Sequence, residues 1–358
     1  MGVSDTYTRG REMVVERPMA VVVGAVGVLV LLDLARQLAT GSMAVSRLLT
    51  LLTDGIVVGL AVGLAGIGLS MTYSILNFAN FGHGDYVTSG AFTGWAVAYI
   101  VAGIGTVSFG DLVLIEANNI GLNISQSPVA VLLGLVAAGV GTIALSLVLD
   151  RVVYRPMRDS DGISLLIASI GVALALRYLI AFVWKTGTKG VTASPAKIDL
   201  AGVTFTSHEL TLVFGSAGLM LGVHLLLQRT KLGKAMRAMA DNKSLARVTG
   251  IPTERVIRMT WIIGGGLTGI AGYLLVLERG TMSFSFGWVL LLLIFAAVIL
   301  GGIGSIYGAM AGGLIIGVVD AMSIIWLPSG LTRAAAFLIL IVVLLIKPEG
   351  LFGGVKTA

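Results

Sequence analysis

Apolar runs long enough to cross a membrane dominate the chain, and short polar segments separate them. About 20 consecutive apolar residues cross a bilayer as a helix. By this criterion the pattern predicts seven spans before residue 280: 19–35, 51–75, 87–106, 128–149, 163–184, 209–227 and 256–277. The pattern therefore predicts an all-α fold, a polytopic transmembrane helical bundle.

The C-terminal apolar region divides less cleanly. Two breaks, Gly301-Gly302-Ile303-Gly304-Ser305 and Leu327-Pro328-Ser329-Gly330, interrupt it. They predict a short segment 288–301, followed by spans at 306–326 and 332–347. The total is ten spans if the short segment crosses fully, and eight or nine if the region near 288–305 is re-entrant. Many transporters are built from inverted repeats, and we expect such pseudo-symmetry here.

The composition agrees with a membrane domain at 19–347 between short tails, 1–18 and 348–358. Hydrophobic residues make up 56% of the chain and charged residues 12%, against about 25% charged in soluble proteins. The chain has no cysteine, which excludes disulfides and thiolate metal sites. Its three histidines fall on separate elements without metal-ligand spacing. We therefore expect neither a metal nor another cofactor.

The positive charges follow loop position, which predicts the orientation and gives no reason to expect a nucleic-acid partner. Cytoplasmic loops of membrane proteins are enriched in Lys and Arg. With a cytoplasmic N-terminus and ten spans, the inner side carries 16 of these residues and the outer side seven. We expect a multi-pass protein of the cell (plasma) membrane with both termini cytoplasmic. The loops at 107–127 and 185–208 then face outward.

A polar break interrupts the apolar pattern at 77–86. It contains Asn77, Asn80, His83 and Asp85 together with two glycines. Irregular backbone at membrane depth occurs where it is buried in protein or lines an aqueous cavity, and broken helices often mark transport pathways. The break is thus either part of a substrate pathway or gate, or a short cytoplasmic turn in which Asp85 caps the next helix.

Two further charges lie within predicted spans. Arg177 falls in the fifth span and Asp320 in the ninth. Such groups are costly in a bilayer and therefore indicate a function or a partner. We consider that the two form a pair with each other, and a role in packing is favoured over a proton relay.

Glycines recur at every fourth position in three places: Gly55, Gly59 and Gly63; Gly304, Gly308 and Gly312; and Gly265 and Gly269. Small residues at this spacing let helix backbones approach closely. These rows predict helix–helix contacts and carry no information about the substrate.

A basic insert at 228–258 lies between two apolar runs. It contains only two acidic residues but eight basic ones: Arg229, Lys231, Lys234, Arg237, Lys243, Arg247, Arg255 and Arg258. Its pattern predicts an amphipathic helix, a second helix capped by Asp241 or Asn242, and a left-handed end at Gly250. Either the insert only fixes orientation on anionic lipid, or it docks on another protein. The methionines, Met236 and Met239, favour docking because Met side chains adapt to a partner surface.

Three segments together resemble the LivH-type permease subunit of branched-chain amino acid ABC importers. They are Gly68–Phe92 with its Asn-Phe-Ala-Asn-Phe-Gly-His-Gly-Asp core, Leu232–Ile251, and Ala297–Gly313 followed by Lys347-Pro-Glu-Gly-Leu-Phe-Gly. The likeness covers about 51–354. Two extra residues in the first segment, and Asp85 where the family commonly has Glu, depart from the family pattern.

The resemblance implies a transport subunit that is not an enzyme. Its implied partners are a second, LivM-like permease subunit, two ATPase subunits, an extracytoplasmic solute-binding protein, a small-molecule substrate and the lipid bilayer. The chain has no G-x-x-x-x-G-K-[ST] phosphate loop. By resemblance, the insert is the ATPase-coupling segment, with Gly233, Lys234, Arg237, Asp241, Arg247 and Gly250 as its coupling residues.

Two alternatives to this interpretation remain. One is a stand-alone secondary transporter of a small polar solute, although a cation-driven pump would carry more buried acids. The other is a permease of the same family for urea or amides, because nothing in the spans selects the solute. A membrane-embedded enzyme lacks support, since no Ser/His/Asp, HExxH or paired-carboxylate arrangement occurs at usable spacing.

Overall fold

A computed structural model describes residues 18–104, 124–190, 195–200 and 203–353. Within these ranges ten long helices occupy the ten predicted segments. They are α1 (Pro18–Ala39), α2 (Val45–Leu76), α3 (His83–Gly103), α4 (Pro128–Leu149), α5 (Gly162–Trp184), α6 (Ser207–Arg229), α9 (Thr253–Arg279), α10 (Phe286–Gly301), α11 (Ile306–Met322) and α12 (Thr332–Ile346). Two short helices, α7 (Lys231–Asp241) and α8 (Lys243–Val248), lie within the basic insert.

Seven helical segments in the described ranges are long and apolar enough to cross a membrane. They contain α2, α4, α5, α6, α9, α11 and α12. The all-α polytopic bundle is therefore confirmed. The segment near 288–305 is a short helix, because α10 has 16 residues. At about 1.5 Å per residue it extends roughly 24 Å, less than the hydrocarbon thickness of about 30 Å.

Strands are confined to short connections in the described part of the chain. β1 (Lys189–Gly190) pairs antiparallel with β4 (Thr281–Met282), and β2 (Lys197–Leu200) pairs antiparallel with β3 (Val203–Thr206). The first pair joins the connection after α5 to the one after α9, and the second lies within the connection between α5 and α6. Most of the predicted 107–127 loop lies outside the described residues, as does nearly all of the N-terminal tail and half of the C-terminal one.

The centre of the bundle is α9, whose glycines bring it into backbone contact with its neighbours. A Cβ atom at Gly269 would lie 2.4 Å from the carbonyl oxygen of Ala138 on α4. At Gly272 it would lie 2.2 Å from the carbonyl oxygen of Val87 on α3. Gly265 faces the side chain of Ser146 on α4, whose Oγ would lie 2.6 Å from a Cβ atom there. The predicted contacts at Gly265 and Gly269 are thus confirmed.

The row Gly55, Gly59 and Gly63 packs on α11, which confirms that it is a helix contact. A Cβ atom at Gly313 of α11 would lie 2.4 Å from the Cα atom of Gly63. Gly317, one turn further along α11, meets Gly59 similarly. The two helices therefore touch glycine to glycine along several turns.

The second predicted row does not form one face of a helix. Gly308 and Gly312 of α11 face α10, where Cβ atoms would lie 2.4 Å and 2.0 Å from the carbonyl oxygens of Gly301 and Ala297. Gly304 precedes the helix and has a φ of 86°. Its spacing matches the row, but glycine is needed there for the left-handed turn between α10 and α11.

The helix pairings repeat between the two halves of the chain. α3 packs against α4 and α9, whereas α10 packs against α11 and α2. α2 lies against α11 as α9 lies against α4. Exchanging α2 with α9, α3 with α10 and α4 with α11 therefore reproduces the same contacts. Five long helices lie in each half, and the repeated pairings are those expected of an inverted repeat.

Gly313→Ala should destabilise the bundle, because the new methyl group would press on the backbone of α2. Overpacking of this kind costs about 1–3 kcal/mol, and thermal unfolding of the purified protein measures the loss. Gly171→Ala on α5 is the matched control, since nothing lies within 4 Å of its Cβ position. Equal melting temperatures for the two variants would contradict the glycine contact.

Candidate functional site

Helix α3 begins in the interior of the bundle. α2 ends at Asn77, which is exposed and has a left-handed φ of 56°. Residues 78–82 then turn back along α2, and α3 starts at His83. The Nε2 atom of His83 lies 2.9 Å from the carbonyl oxygen of Ala65, near the middle of α2. The polar break is therefore a broken helix that re-enters the bundle, and not a short turn at its edge.

Helix α10 begins at the same place from the opposite side. The backbone N–H of Gly287 donates to Oγ1 of Thr88 at 2.9 Å. A Cβ atom at Gly84 would lie 2.6 Å from the carbonyl oxygen of Gly287. Each of these glycines is the second residue of its helix. The pseudo-symmetric helices α3 and α10 therefore meet at their first turns, backbone against backbone.

Two helix N-termini consequently point into the interior. The N-terminal end of a helix carries partial positive charge and unpaired N–H groups, which favour anionic groups. Asn80, directly before α3, is fully buried. Its Oδ1 accepts from the Gly82 N–H at 3.0 Å and from the Tyr154 hydroxyl at 3.3 Å, while Nδ2 has no partner. The break thus holds a free amide donor beside a helix N-terminus.

One arginine bridges the two meeting helices. Arg177 of α5 donates from Nε and from one terminal nitrogen to the two oxygens of Asp85, at 3.3 Å and 3.0 Å. Its guanidinium also lies 4.3 Å from the centre of the Trp288 ring. Asp85 and Trp288 are each the third residue of their helix, α3 and α10. Arg177 therefore binds equivalent positions in the two halves of the repeat.

This geometry corrects two expectations from the sequence. Arg177 does not pair with Asp320, because Asp85 lies closer to it and is fully buried. Nor does Asp85 cap α3, which has no side-chain cap. Asp320 lies near the end of α11, and its Oδ1 is buried without a hydrogen-bond partner.

A polar relay that the sequence did not reveal connects the break to the end of the bundle where α4 ends and α9 begins. Tyr154, which touches Asn80, stacks on Trp261 with ring centres 5.2 Å apart. The Trp261 Nε1 donates to Asp150 at 2.8 Å. Asp150 in turn accepts from Arg158 at 2.7 Å. The sequence feature that could have indicated this relay is an acidic residue, Asp150, at the end of an apolar run, followed by three arginines.

Arg158 closes the relay by binding Glu254 at the start of α9, at 2.6 Å. Burial alone would lower the pKa of Arg158, but the hydrogen bonds to Asp150 and Glu254 outweigh it and raise that pKa. Asp150 begins a π-helical turn, Asp150–Tyr154, at the end of α4. Such turns often occur at functional sites, and this one carries both Asp150 and Tyr154 into the relay.

The basic insert is a folded element on the chain's own helices. Thr230 caps α7 and Asn242, one of the two predicted caps, caps α8. Gly250 has the predicted left-handed conformation, with a φ of 85°. Gly233 presses on α6, where a Cβ atom would lie 2.4 Å from the backbone of Leu227.

The methionines of the insert do not face a partner. Met236 and Met239 are buried against this chain's own core. The argument that placed them on a docking surface is therefore wrong. They belong to the apolar face of α7, which the bundle itself covers.

The exposed part of the insert includes four of the expected coupling residues and two apolar side chains that were not expected. Lys234, Arg237, Asp241 and Arg247 are exposed, and Arg237 donates to the carbonyl oxygen of Leu227 at 2.7 Å. On α8 the apolar side chains of Leu245 and Val248 are 60% and 85% exposed. We call Leu245, Arg247 and Val248 the α8 surface. This surface was not predictable from the local pattern, because a six-residue helix has no clear periodicity.

Comparison with known proteins identifies the family. A family model described as "Branched-chain amino acid transport system / permease component" matches residues 51–346. The chain belongs to this family. It is 31% identical over 311 residues to the high-affinity branched-chain amino acid transport system permease protein LivH of Salmonella typhimurium, covering 84% of this chain and 94% of that protein.

Two further relatives extend the comparison. The permease protein BraD of Pseudomonas aeruginosa is 29% identical over 308 residues, covering 84% of this chain and 94% of that protein. The autoinducer 2 import system permease protein LsrD of Salmonella paratyphi B is 26% identical over 280 residues, covering 75% and 82%. No solved structure matches the chain.

Family membership makes the chain a permease subunit of an ABC importer and not an enzyme. It implies ATPase and binding-protein partners, and with the apolar helices it supports a multi-pass membrane protein. Among the described residues no group of three or more His, Asp or Glu side chains could hold a metal ion.

Asp85→Asn should destabilise the protein, because it leaves the buried Arg177 guanidinium without its counter-ion. Breaking a buried pair costs about 3–5 kcal/mol. The double variant Asp85→Asn/Arg177→Gln should lose less, since no charge is stranded. Thermal unfolding measures both. Arg36→Gln is the control, because its ion pair with Asp33 is exposed and worth about 0–1 kcal/mol. A single variant as stable as this control would contradict the buried pair.

Proposed function

We propose that this permease forms the translocation path for branched-chain or related amino acids, with the meeting point of α3 and α10 as its gate. The observation that carries the proposal is the Arg177 bridge between Asp85 and Trp288. It closes the centre of the bundle where two broken helices meet. Discontinuous helices of this kind form the substrate sites of many transporters.

The chemistry of the gate suits an amino acid. An amino acid carries one carboxylate and one ammonium group. The N-termini of α3 and α10 and the free amide of Asn80 are donors for a carboxylate. When the bridge opens, Arg177 offers a positive group to the carboxylate and Asp85 offers a negative group to the ammonium. Asn80, His83 and Asp85 line this path, and Asn77 lies at its cytoplasmic mouth.

We propose that the α8 surface docks on an ATPase subunit. Its exposed apolar side chains, Leu245 and Val248, flank Arg247, and such a patch is typical of a protein contact. Lys234, Arg237 and Asp241 lie on the neighbouring exposed face of α7, and Gly233 and Gly250 shape the insert.

Movement of the insert would reach the gate through Arg158, Asp150 and the Tyr154–Trp261 stack, because Arg158 binds Glu254, which lies just beyond Pro252. ATP binding supplies the free energy that separates the two states of the gate.

The partners would be a second, LivM-like permease subunit, two ATPase subunits and an extracytoplasmic solute-binding protein. We place both termini in the cytoplasm. The Arg158–Glu254 ion pair brings the two basic connections to one end of the bundle, which agrees with this orientation. The backbone bond from Leu351 to Leu300 brings the C-terminal segment to the inner end of α10.

The alternative of a stand-alone secondary transporter is not favoured by the family. It predicts uptake that needs no ATPase and fails when ion gradients are dissipated. Urea, amides and the signalling molecule named for LsrD are the alternatives for the solute.

The test is reconstitution with the cognate ATPases, second permease and binding protein. We expect ATP-dependent uptake of leucine that survives ionophores and exceeds uptake of urea. Leu245→Asp/Val248→Asp should lose the co-purifying ATPases and reduce uptake at least about tenfold, the effect of losing an apolar contact worth about 1.4 kcal/mol. The control is Ile198→Asp on β2, at the opposite end of α6. Uptake without ATPases would contradict the proposal, as would full ATPase binding by the double variant.

A further inference from the structure

We propose that a cavity between the end of α4 and the start of α9 binds the phosphate headgroup of an anionic phospholipid. The cavity has a volume of about 410 Å³. Its walls are one apolar side chain, four arginines and two acids: Leu147, Arg151, Arg155, Arg158, Arg258, Asp150 and Glu254. This site is distinct from the gate and from the α8 surface.

The charges in the cavity leave two arginines for a ligand. Asp150 and Glu254 are both occupied by Arg158, at 2.7 Å and 2.6 Å. Arg155 lies at the limit of an ion pair with Glu254, at 4.0 Å. Among the described residues, Arg151 and Arg258 have neither an ion pair nor a side-chain hydrogen bond. The cavity therefore carries a net positive charge, and its free guanidinium groups can bind phosphate oxygens in pairs.

The surface above the cavity has the character of a lipid-facing surface. Val140, Val148 and Val152 are all more than half exposed, and their spacing places them on one face of α4 and its π-helical extension. That apolar stripe ends beside Arg151 and Arg155, which share its face. Acyl chains can lie along the valines while the headgroup reaches the arginines.

The position of the cavity selects the lipid leaflet. It lies where α4 leaves the apolar part of the bundle and α9 enters it, at the end that carries most of the basic residues. Anionic lipids concentrate at the cytoplasmic surface and attract basic residues next to the membrane. A free phosphate would use the arginines but not the valines, so the apolar stripe favours a lipid. The same stripe argues against an acidic segment of the ATPase.

Native mass spectrometry of the detergent-purified chain tests the proposal. After exchange into equal amounts of phosphatidylglycerol and phosphatidylcholine, the wild type should retain phosphatidylglycerol preferentially. Arg151→Gln/Arg258→Gln should lower that preference on the order of tenfold, since each basic residue near a membrane surface contributes to anionic lipid binding. Arg229→Gln/Arg255→Gln removes the same charge outside the cavity and should keep the preference. A melting curve confirms that each variant is folded, and Arg258→Gln alone replaces the double variant if it is not.

Three outcomes would overturn the assignment. One is equal retention of phosphatidylglycerol by the cavity variant and the wild type. Another is displacement of the lipid by inorganic phosphate at millimolar concentration, which would indicate a site for a soluble anion. The third is loss of co-purifying ATPase from the cavity variant with lipid retention unchanged, which would make the cavity a protein interface.

Discussion

The close approach of α3 and α10 at Gly84 and Gly287 is the constraint on which the rest of the bundle depends. Two backbones in contact at this point leave no room for side chains, so both positions must be glycine. Because both helices begin there, each must be reached by a connection that re-enters the bundle, from 77–82 on one side and from 280–285 on the other. The inverted pairing of α2 with α11 and of α9 with α4 surrounds this contact.

Charge reinforces the same point. A fully buried carboxylate is tolerated only with a partner, and Arg177 is that partner for Asp85. Since Arg177 also lies over Trp288, a single side chain contacts both α3 and α10. An arginine that contacts both helices suits the proposed gate, because a displacement of Arg177 would break its contacts with both Asp85 and Trp288. The relay through Tyr154, Trp261, Asp150 and Arg158 is a physical connection between the proposed gate and the insert.

Hydrophobic periodicity predicted the spans well, because a bilayer requires long apolar helices and tolerates little else. All ten predicted segments correspond to helices, including the short α10. The caps of the insert were also predictable, since Asn242 and Gly250 act locally.

Long-range pairings were not predictable from one sequence. Asp85 and Asp320 are equally plausible partners for Arg177 until the fold places Asp85 beside it. The burial of Met236 and Met239 likewise depends on α6 and α9, which the local pattern does not contain. The role of Arg158 was not predictable either, because nothing in the sequence indicates that Asp150 and Glu254 converge on it.

The most direct test of the gate uses the absence of cysteine from the chain. Asn80→Cys places a single thiol at a buried position of the gate, and Asn77→Cys places one at the exposed mouth. Both are assayed with a water-soluble thiol reagent in the reconstituted importer. The account predicts that the thiol at position 80 reacts slowly at rest and at least about tenfold faster during ATP-driven uptake, while the thiol at position 77 reacts readily in both states. Slow, unchanged labelling at position 80 during active uptake would contradict the gate.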